Sequence, residues 1–303
     1  MSRLLVAACL AIAVAQATPP RFQAGVEVVR VNVLVTDDNR PVAGLTAADF
    51  ELRDSSVVQQ VESATFADIP VSMSLVLDIS QSVRGRTLEH LKEAAGAALD
   101  QLAAPDRAAL LTFHSAVDLQ ADWGPPSSAI RTALHQAEAG GGTALYDAAF
   151  SALTMTGATP GNRELVLLFS DGADTASWLS SSAVLERARR AEPVVYSVML
   201  GIPSDSRLLY GRSGVELLES QVPLGVVPPF LSELSSVTGG STFVAEGAAG
   251  LRRAFARIVT EFRTRYLLTY TPRGVDAGGW HPIDVKLRNK KGKVTARRGY
   301  WSG

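Results

Sequence analysis

Cysteine is almost absent from this chain: Cys9 is the only one in 303 residues. It lies inside the N-terminal stretch MSRLLVAACLAIAVAQATPP, which reads as an export signal. Arg3 supplies the positive region, Leu4 to Val14 the apolar core, and Ala15-Gln16-Ala17 a small-x-small cleavage pattern. A chain cut near Thr18 has no thiol, which excludes disulfides, thiolate-bound zinc and a cysteine nucleophile. VAAC loosely resembles a lipoprotein box, but cutting there leaves a very short apolar region; a retained membrane anchor is the other alternative. No second apolar run is long enough to span a bilayer. The expectation is an exported protein, periplasmic, cell-surface or secreted, with no transmembrane span in the mature chain.

Histidine is scarce as well. His90, His114, His135 and His281 are scattered without HExxH or paired spacing, and each reads as a surface or half-buried side chain. A Ser80-His114-Asp171 triad can be drawn on paper, but no GxSxG elbow supports it. The glycine-rich GGGTAL lacks the lysine of a phosphate-binding loop. Charge has no dominant sign: the net is -1, so no overall field draws nucleic acid or an anionic membrane. What remains, 47% hydrophobic and 19% charged residues, is ordinary globular composition in a chain long enough for two domains or one large one.

The two ends are β-rich. GVEVVRVNVLVTD places Val29, Val31, Val33 and Val35 on one face at period two; Asp37 to Arg40 is turn chemistry, and FELRD is a further strand. Near the other end YLLTYTP is a strand stopped by Pro272, IDVKLR alternates, NKKG turns, and KVTARRGYW returns as a strand. Between them strand and helix alternate. Val71–Asp78, RAALLTFHS, ELVLLFSDG, PVVYSVML and STFVAE are apolar strands. Helices are expected over Thr87–Leu102, from Pro126 to about Ala139, from Thr143 to about Met155, over Ser181–Ala191 and Phe230–Val237, and in the stretch carrying Leu251, Phe255, Ile258, Val259 and Phe262. Unalternating apolar strands separated by helices predict a doubly wound, mostly parallel sheet with helices on both faces. The resulting division is a signal at 1–17, a β segment at 18–68, the α/β domain at 69–263 and a β segment at 264–303. Gly201 to Pro229 reads as a long loop.

Open α/β sheets bind ligands at the carboxyl ends of their strands, and three polar motifs fall at such ends. Asp78-Ile79-Ser80-Gln81-Ser82 follows the first central strand; residues two apart on extended backbone point the same way, so Asp78, Ser80 and Ser82 can converge. GGGTALYDA puts Thr143 in a glycine-rich loop entering a helix, and FSDGADT puts Asp171 directly after a strand. Two carboxylates and three hydroxyls are hard oxygen ligands, suited to a divalent cation: Mg²⁺ first, with Mn²⁺ or Ca²⁺ as alternatives, and not zinc or copper.

These five positions resemble the metal-ion-dependent adhesion site of the von Willebrand factor A domain family, D-x-S-x-S followed by a distant Thr and a distant Asp, in the right order and on the right elements over residues 70 to 263. The resemblance implies that Asp78, Ser80, Ser82, Thr143 and Asp171 hold the cation, with the two Asp acting partly through water. It also implies that a protein partner completes the shell with an Asp or Glu side chain, and that the chain is not an enzyme. VTDDNRPVAGLTAADFELRDSS, YLLTYTP and RRGYW are similar to the flanks of bacterial exported proteins related to that family, which implies that the two β segments pair into one small sandwich-like module.

Other readings stand beside these. Thr143 alone fits a helix N-cap and Asp171 an Asx turn; Asp147 fits a helix face and Asp174 a solvated loop. KLRNKKGKVTARR, with seven basic residues in thirteen, fits a solvated hairpin, and Arg252, Arg253, Arg257, Arg263 and Arg265 fit the solvent side of the last helix. For the whole molecule the alternatives are a metal-dependent hydrolase of phosphate or ester substrates, and a structural scaffold with a degenerate site.

Overall fold

The computed structural model describes residues 28–66, 69–155, 161–200, 215–217 and 228–303. Residues 1–17, read above as an export signal, with Cys9 among them, and most of the loop expected from Gly201 to Pro229 lie outside the described residues.

The first strands are β1 (Val29–Asp37), β2 (Arg40–Pro41), β3 (Phe50–Asp54), β4 (Val57–Gln59) and β5 (Ser63–Phe66). Along β1 the four valines at period two are buried while Arg30 faces outward, so one face seeks a core. Asp38 and Asn39 both take positive φ, 45° and 60°, the backbone of a tight hairpin that pairs Asp37 with Arg40.

The central unit runs β6 (Val71–Asp78), α1 (Arg86–Leu99), β7 (Arg107–Phe113), β8 (Val117–Gly124), α2 (Ser128–Gln136), α3 (Leu145–Thr154), β9 (Arg163–Phe169), α4 (Ser181–Arg190), β10 (Val194–Leu200), β11 (Val215–Leu217), α5 (Pro229–Thr238), β12 (Thr242–Ala245) and α6 (Gly247–Arg263). Its seven strands are ordered β11-β12-β10-β9-β6-β7-β8; all neighbours are parallel except β7 and β8. All eight residues of β6 are buried, because the sheet is covered twice. Leu75 and Leu77 point into a layer with Leu91, Ala95, Phe255 and Phe262; Val76 points into the opposite layer with Leu145, Ala149, Val184 and Leu231. That double cover is the physical reason the strand shows no polar alternation. At the end of α5, Gly239 adopts φ 84°, and a Cβ on Gly240 would stand 1.9 Å from the carbonyl oxygen of Val195, so the closing glycine pair is required by backbone contact.

The chain then returns through β13 (Tyr266–Tyr270), β14 (Gly279–Leu287), β15 (Lys293–Ala296) and β16 (Gly299–Ser302). One sheet is ordered β15-β1-β13-β5, with β2 on β1, and another β16-β14-β3-β4. They enclose a shared core of Val31, Val33, Phe50, Leu52, Tyr266 and Leu268, so the N- and C-terminal segments build one antiparallel module beside the doubly wound domain.

Several local expectations are revised. KVTARRGYW is two strands in different sheets, and Arg297 and Arg298 lie at the crossing. Neither is merely solvated: Arg297 donates to the carbonyls of Gly299 (2.6 Å) and Arg189 (3.1 Å), and Arg298 to Glu233 (2.9 Å) and Ser236 Oγ (2.6 Å). Arg265, expected on the solvent side, is fully buried and donates to Tyr196 Oη, whose hydroxyl donates to Glu261 at 2.6 Å. His281, expected at or near the surface, is buried against Asp54, with Nδ1 2.9 Å from Oδ1. The same carboxylate accepts the hydroxyls of Tyr270 (2.8 Å) and Tyr300 (2.9 Å). α2 begins at Ser128 and α3 at Leu145, each two residues later than expected.

Candidate metal centre

β6 delivers Asp78 to the carboxyl edge of the sheet with no exposure to solvent. Both carboxylate oxygens are engaged: Oδ1 accepts the backbone N–H of Ser80 at 2.9 Å and Oδ2 the hydroxyl of Ser170 at 2.8 Å. Ser170, the residue after β9, is itself buried and accepts the N–H of Gly172 at 3.0 Å. Burial pushes the Asp78 carboxyl above the usual carboxylate range; the Ser80 and Ser170 hydrogen bonds pull it back, and the charge of Asp171 adds to the push. Asp171 thus lies within electrostatic reach of Asp78, and a cation between them would attract both carboxylates and outweigh their mutual repulsion.

Ser80 Oγ and Ser82 Oγ are 3.0 Å apart. The two hydroxyls are hydrogen-bonded to each other. With Mg–O bonds of about 2.1 Å, neighbouring corners of an octahedron are separated by about 3 Å, so the length of that hydrogen bond matches the spacing of adjacent ligands. Ser80 is buried and Ser82 exposed, and the pair spans from the sheet edge to solvent.

Three loops are laced at this edge by their backbones. Ile79 N donates to Phe113 O (2.8 Å), Gly140 N to Ile79 O (2.9 Å) and Gln81 N to Gly141 O (3.1 Å). Gly141 takes φ 73°, and a Cβ there would meet Ser115 Oγ at 2.7 Å; Gly142 N donates to that same oxygen at 2.8 Å. Thr143 is buried. Its N–H donates to Thr175 Oγ1 at 2.9 Å, and its carbonyl accepts from Thr175 N (2.9 Å) and Ala176 N (3.1 Å). It is not the helix cap: α3 is capped by Ala144, with no side-chain cap bond. Instead, Ser177 Oγ accepts Tyr146 N (2.9 Å) and Asp147 N (3.2 Å), and Asp174 Oδ1 accepts the Ser177 hydroxyl at 2.5 Å. Asp147 reaches back to accept the N–H groups of Trp178 (3.0 Å) and Leu179 (2.9 Å). Asp147 and Asp174, read from the sequence as a helix-face and a loop residue, together pin the segment after Asp171. Asp171 makes the Asx turn, accepting Ala173 N at 3.2 Å through Oδ1.

The structure thus joins Asp78, Ser80 and Ser82 by direct contacts, brings Asp171 into their field, and laces the Thr143 loop alongside by main-chain bonds. The triad drawn through His114 does not form: His114 Nδ1 accepts Ala116 N at 3.1 Å, and Nε2 lies 3.7 Å from Asp118. Among the described residues no three His, Cys, Asp or Glu side chains cluster to hold a metal. The available donors are two carboxylates and serine and threonine hydroxyls, a set that fits a hard divalent cation and no soft one. Ser170, Thr175 and Ser115 are supporting residues that the motif pattern does not flag. Only Ser170 left a trace, as the one hydroxyl closing an otherwise apolar strand.

Residues 73–173, which contain all five motif positions, match the family model described as von Willebrand factor type A domain. No curated protein matches the sequence. Among solved structures, the chain is similar in fold to a von Willebrand factor type A protein from Catenulispora acidiphila, at 12% identity and TM-score 0.52, over 89% of this chain and 75% of that one. It is also similar to the vWF domain of the type V pili tip protein Mfa5 from Porphyromonas gingivalis, at 11% identity and TM-score 0.50, over 63% of this chain and 94% of that domain. At these identities the likeness is one of fold.

Proposed function

Because the central domain of this chain is a von Willebrand factor type A domain, we propose that it is a non-enzymatic binding module that captures a protein partner through a divalent cation, Mg²⁺ in the first instance. Ser80, Ser82 and Thr143 would offer hydroxyl oxygens and Asp78 and Asp171 carboxylate oxygens. The observation that carries this reading is the Ser80–Ser82 pair at 3.0 Å beside a carboxylate already braced on both oxygens. When bound, the cation supplies an electrophilic centre able to accept a carboxylate from outside. The chain's own residues do the rest. Ser80 N and the Ser170 hydroxyl fix the Asp78 rotamer, so little reorganisation is needed on loading. The lacing of 79–81 to 140–143 holds the hydroxyl-bearing loops together. Ser82, exposed, marks the side from which a partner approaches.

Export belongs to the same proposal. It rests on the leader-like residues 1–17 and puts the site in the periplasm, on the cell surface or in the medium. Among the described residues no helix is long and apolar enough to cross a membrane.

Pull-down from the native envelope, with Mg²⁺ or with a chelator, tests the reading. The expected result is a partner set retained by the wild-type chain in Mg²⁺, released by the chelator and absent with Ser80→Ala. Retention of the same proteins in chelator contradicts cation-mediated capture. Turnover of generic phosphatase or esterase substrates, lost in Ser80→Ala, would move the chain to the hydrolase class.

A further inference from the structure

Trp178 is 96% exposed, while the next most exposed large apolar side chain among the described residues, Leu119, is 51% exposed. Large aromatics are ordinarily mostly buried, so a free-standing indole needs a reason. Its backbone is held firmly. Trp178 N donates to Asp147 Oδ2 at 3.0 Å, the adjoining Ser177 accepts two N–H groups of α3, and Thr175, three residues earlier, is bonded to Thr143 through main chain and side chain. The indole therefore projects from a braced segment at the carboxyl edge of the sheet, the edge that carries Asp78, Ser80 and Ser82.

Beyond Ser82 the same edge carries Arg84 and Arg86, both exposed. Among the described residues neither forms an ion pair, and Arg84 makes only a 3.5 Å contact to Ala139 O. Some exposed arginines are matched, Arg30 with Glu192, Arg252 with Glu93 and Arg298 with Glu233. Others, Arg40, Arg273 and Arg288, are exposed without an ion pair among the described residues. What sets Arg84 and Arg86 apart is their place just beyond Ser82 at the carboxyl edge. Arg86 opens α1, where a cation faces the positive end of the helix dipole. Two unmatched cations, one of them placed against its own helix, complement negative charge arriving from outside.

We propose that Trp178, Arg84 and Arg86 frame a docking surface for a protein segment that carries acidic and apolar side chains side by side. Trp178 enters an apolar socket on the partner, and the two arginines attract carboxylates additional to the one at the cation. The cation's part in this rests on the function proposed above; the tryptophan and arginine contacts stand independently of it. A protein fits better than an acidic polysaccharide, because a ring that carries a sugar has one face packed on its own chain, whereas this indole is almost wholly free and shaped to insert. Tryptophan and arginine are also the side chains most often found to dominate protein interfaces.

The test uses the full chain, panned in Mg²⁺ against a random dodecapeptide phage library and eluted first with chelator and then with acid, so that cation-dependent and cation-independent binders are both recovered. Enriched peptides are then synthesised and their affinity measured by fluorescence anisotropy. The expected peptides carry Asp or Glu within a few residues of a large apolar side chain. Trp178→Ala should weaken them about thirtyfold, and Arg84→Glu with Arg86→Glu about tenfold with a flatter salt dependence. Trp178→Ala should keep the wild-type melting temperature and Mg²⁺ isotherm. The double arginine variant should fold with a melting temperature no lower than wild type, since Glu at the start of α1 suits the helix dipole. No enrichment, or equal binding by Trp178→Ala, overturns the proposal; so does Trp178-dependent binding of a soluble polyuronate in place of peptides. Peptide binding that depends on Trp178 and the arginines without any heat of Mg²⁺ binding would sustain the docking surface and remove the cation reading.

Discussion

At the residue scale, Ser170 is the most informative position after the motif itself. It is buried, 92 positions along the chain from Asp78, and gives its hydroxyl to the second oxygen of that carboxylate. Partners of this kind typically alter metal affinity 10- to 100-fold when removed, and we expect about that loss for Ser170→Ala in a Mg²⁺ titration. Ser170→Thr, which keeps the hydroxyl, should restore most of it; an unchanged isotherm in the alanine variant would show that Asp78 needs no brace. Away from the site, Tyr196 mediates between the buried Arg265 and Glu261. Tyr196→Phe leaves both without that hydroxyl and should cost roughly 1–3 kcal/mol in denaturant unfolding. The five motif positions were picked out by polarity at strand ends and by alternation along an extended chain. The strand stops at Asp78, however, and Gln81–Val83 is a single 3-10 turn, so the turn and the hydrogen bond between the two hydroxyls, not alternation, bring Ser82 to Ser80. Ser170, Arg265 and His281 were not legible, since nothing near them in sequence reveals a buried partner tens or hundreds of positions away.

At the scale of elements, the apolar runs were readable because a sheet covered on both faces tolerates few polar interruptions. β8 was missed although it carries a signal of its own: Val117, Leu119, Ala121 and Trp123 alternate with polar residues. That is the pattern of an edge strand with half its residues exposed rather than the continuous apolar run of its neighbours. KVTARRGYW looked like one strand because Arg297 and Arg298 carry no turn chemistry; the signal passed over is Gly299, which opens the second strand where a Cβ would stand 2.4 Å from His281 O. Helix starts drifted for a capping reason: Pro126 suggested a first turn, but Ser127 takes the extended cap conformation and the helix begins after it. The junction of α5 and β12 gives a sharp prediction. Gly240→Ala sets a methyl 1.9 Å from Val195 O, and the backbone must shift to admit it. A destabilisation of roughly 1–3 kcal/mol is expected by thermal or denaturant unfolding; a neutral result would mean that this packing is looser than the contact implies.

At the scale of the whole molecule, two units are fastened by contacts that residue patterns do not advertise. Arg163 donates to the carbonyls of Arg265 (2.8 Å) and Arg263 (3.2 Å), Arg190 stacks on Trp301 with its guanidinium carbon 3.7 Å from the ring centroid, and Arg30 pairs with Glu192. Burial and the neighbouring Arg265 and Arg263 charges lower the Arg163 pKa to about 10. The antiparallel module is assembled from both ends of the chain with the doubly wound domain between them, so the termini and the centre should unfold together. A cation that binds the folded state alone must also raise its stability. At a hundredfold excess over Kd the increment is about 2.7 kcal/mol, visible as a higher Tm in Mg²⁺ that reverts in chelator.

The central claim is that hydroxyl and carboxylate oxygens from three loops gather around one hard divalent cation. Isothermal titration of the full chain with Mg²⁺ addresses it most directly, run beside Asp78→Ala and Ser80→Ala variants shown to be folded by their unfolding transitions. The account predicts one saturable site in the wild-type chain and its loss or severe weakening in both variants. No heat of binding, or an isotherm that both variants reproduce, would contradict it.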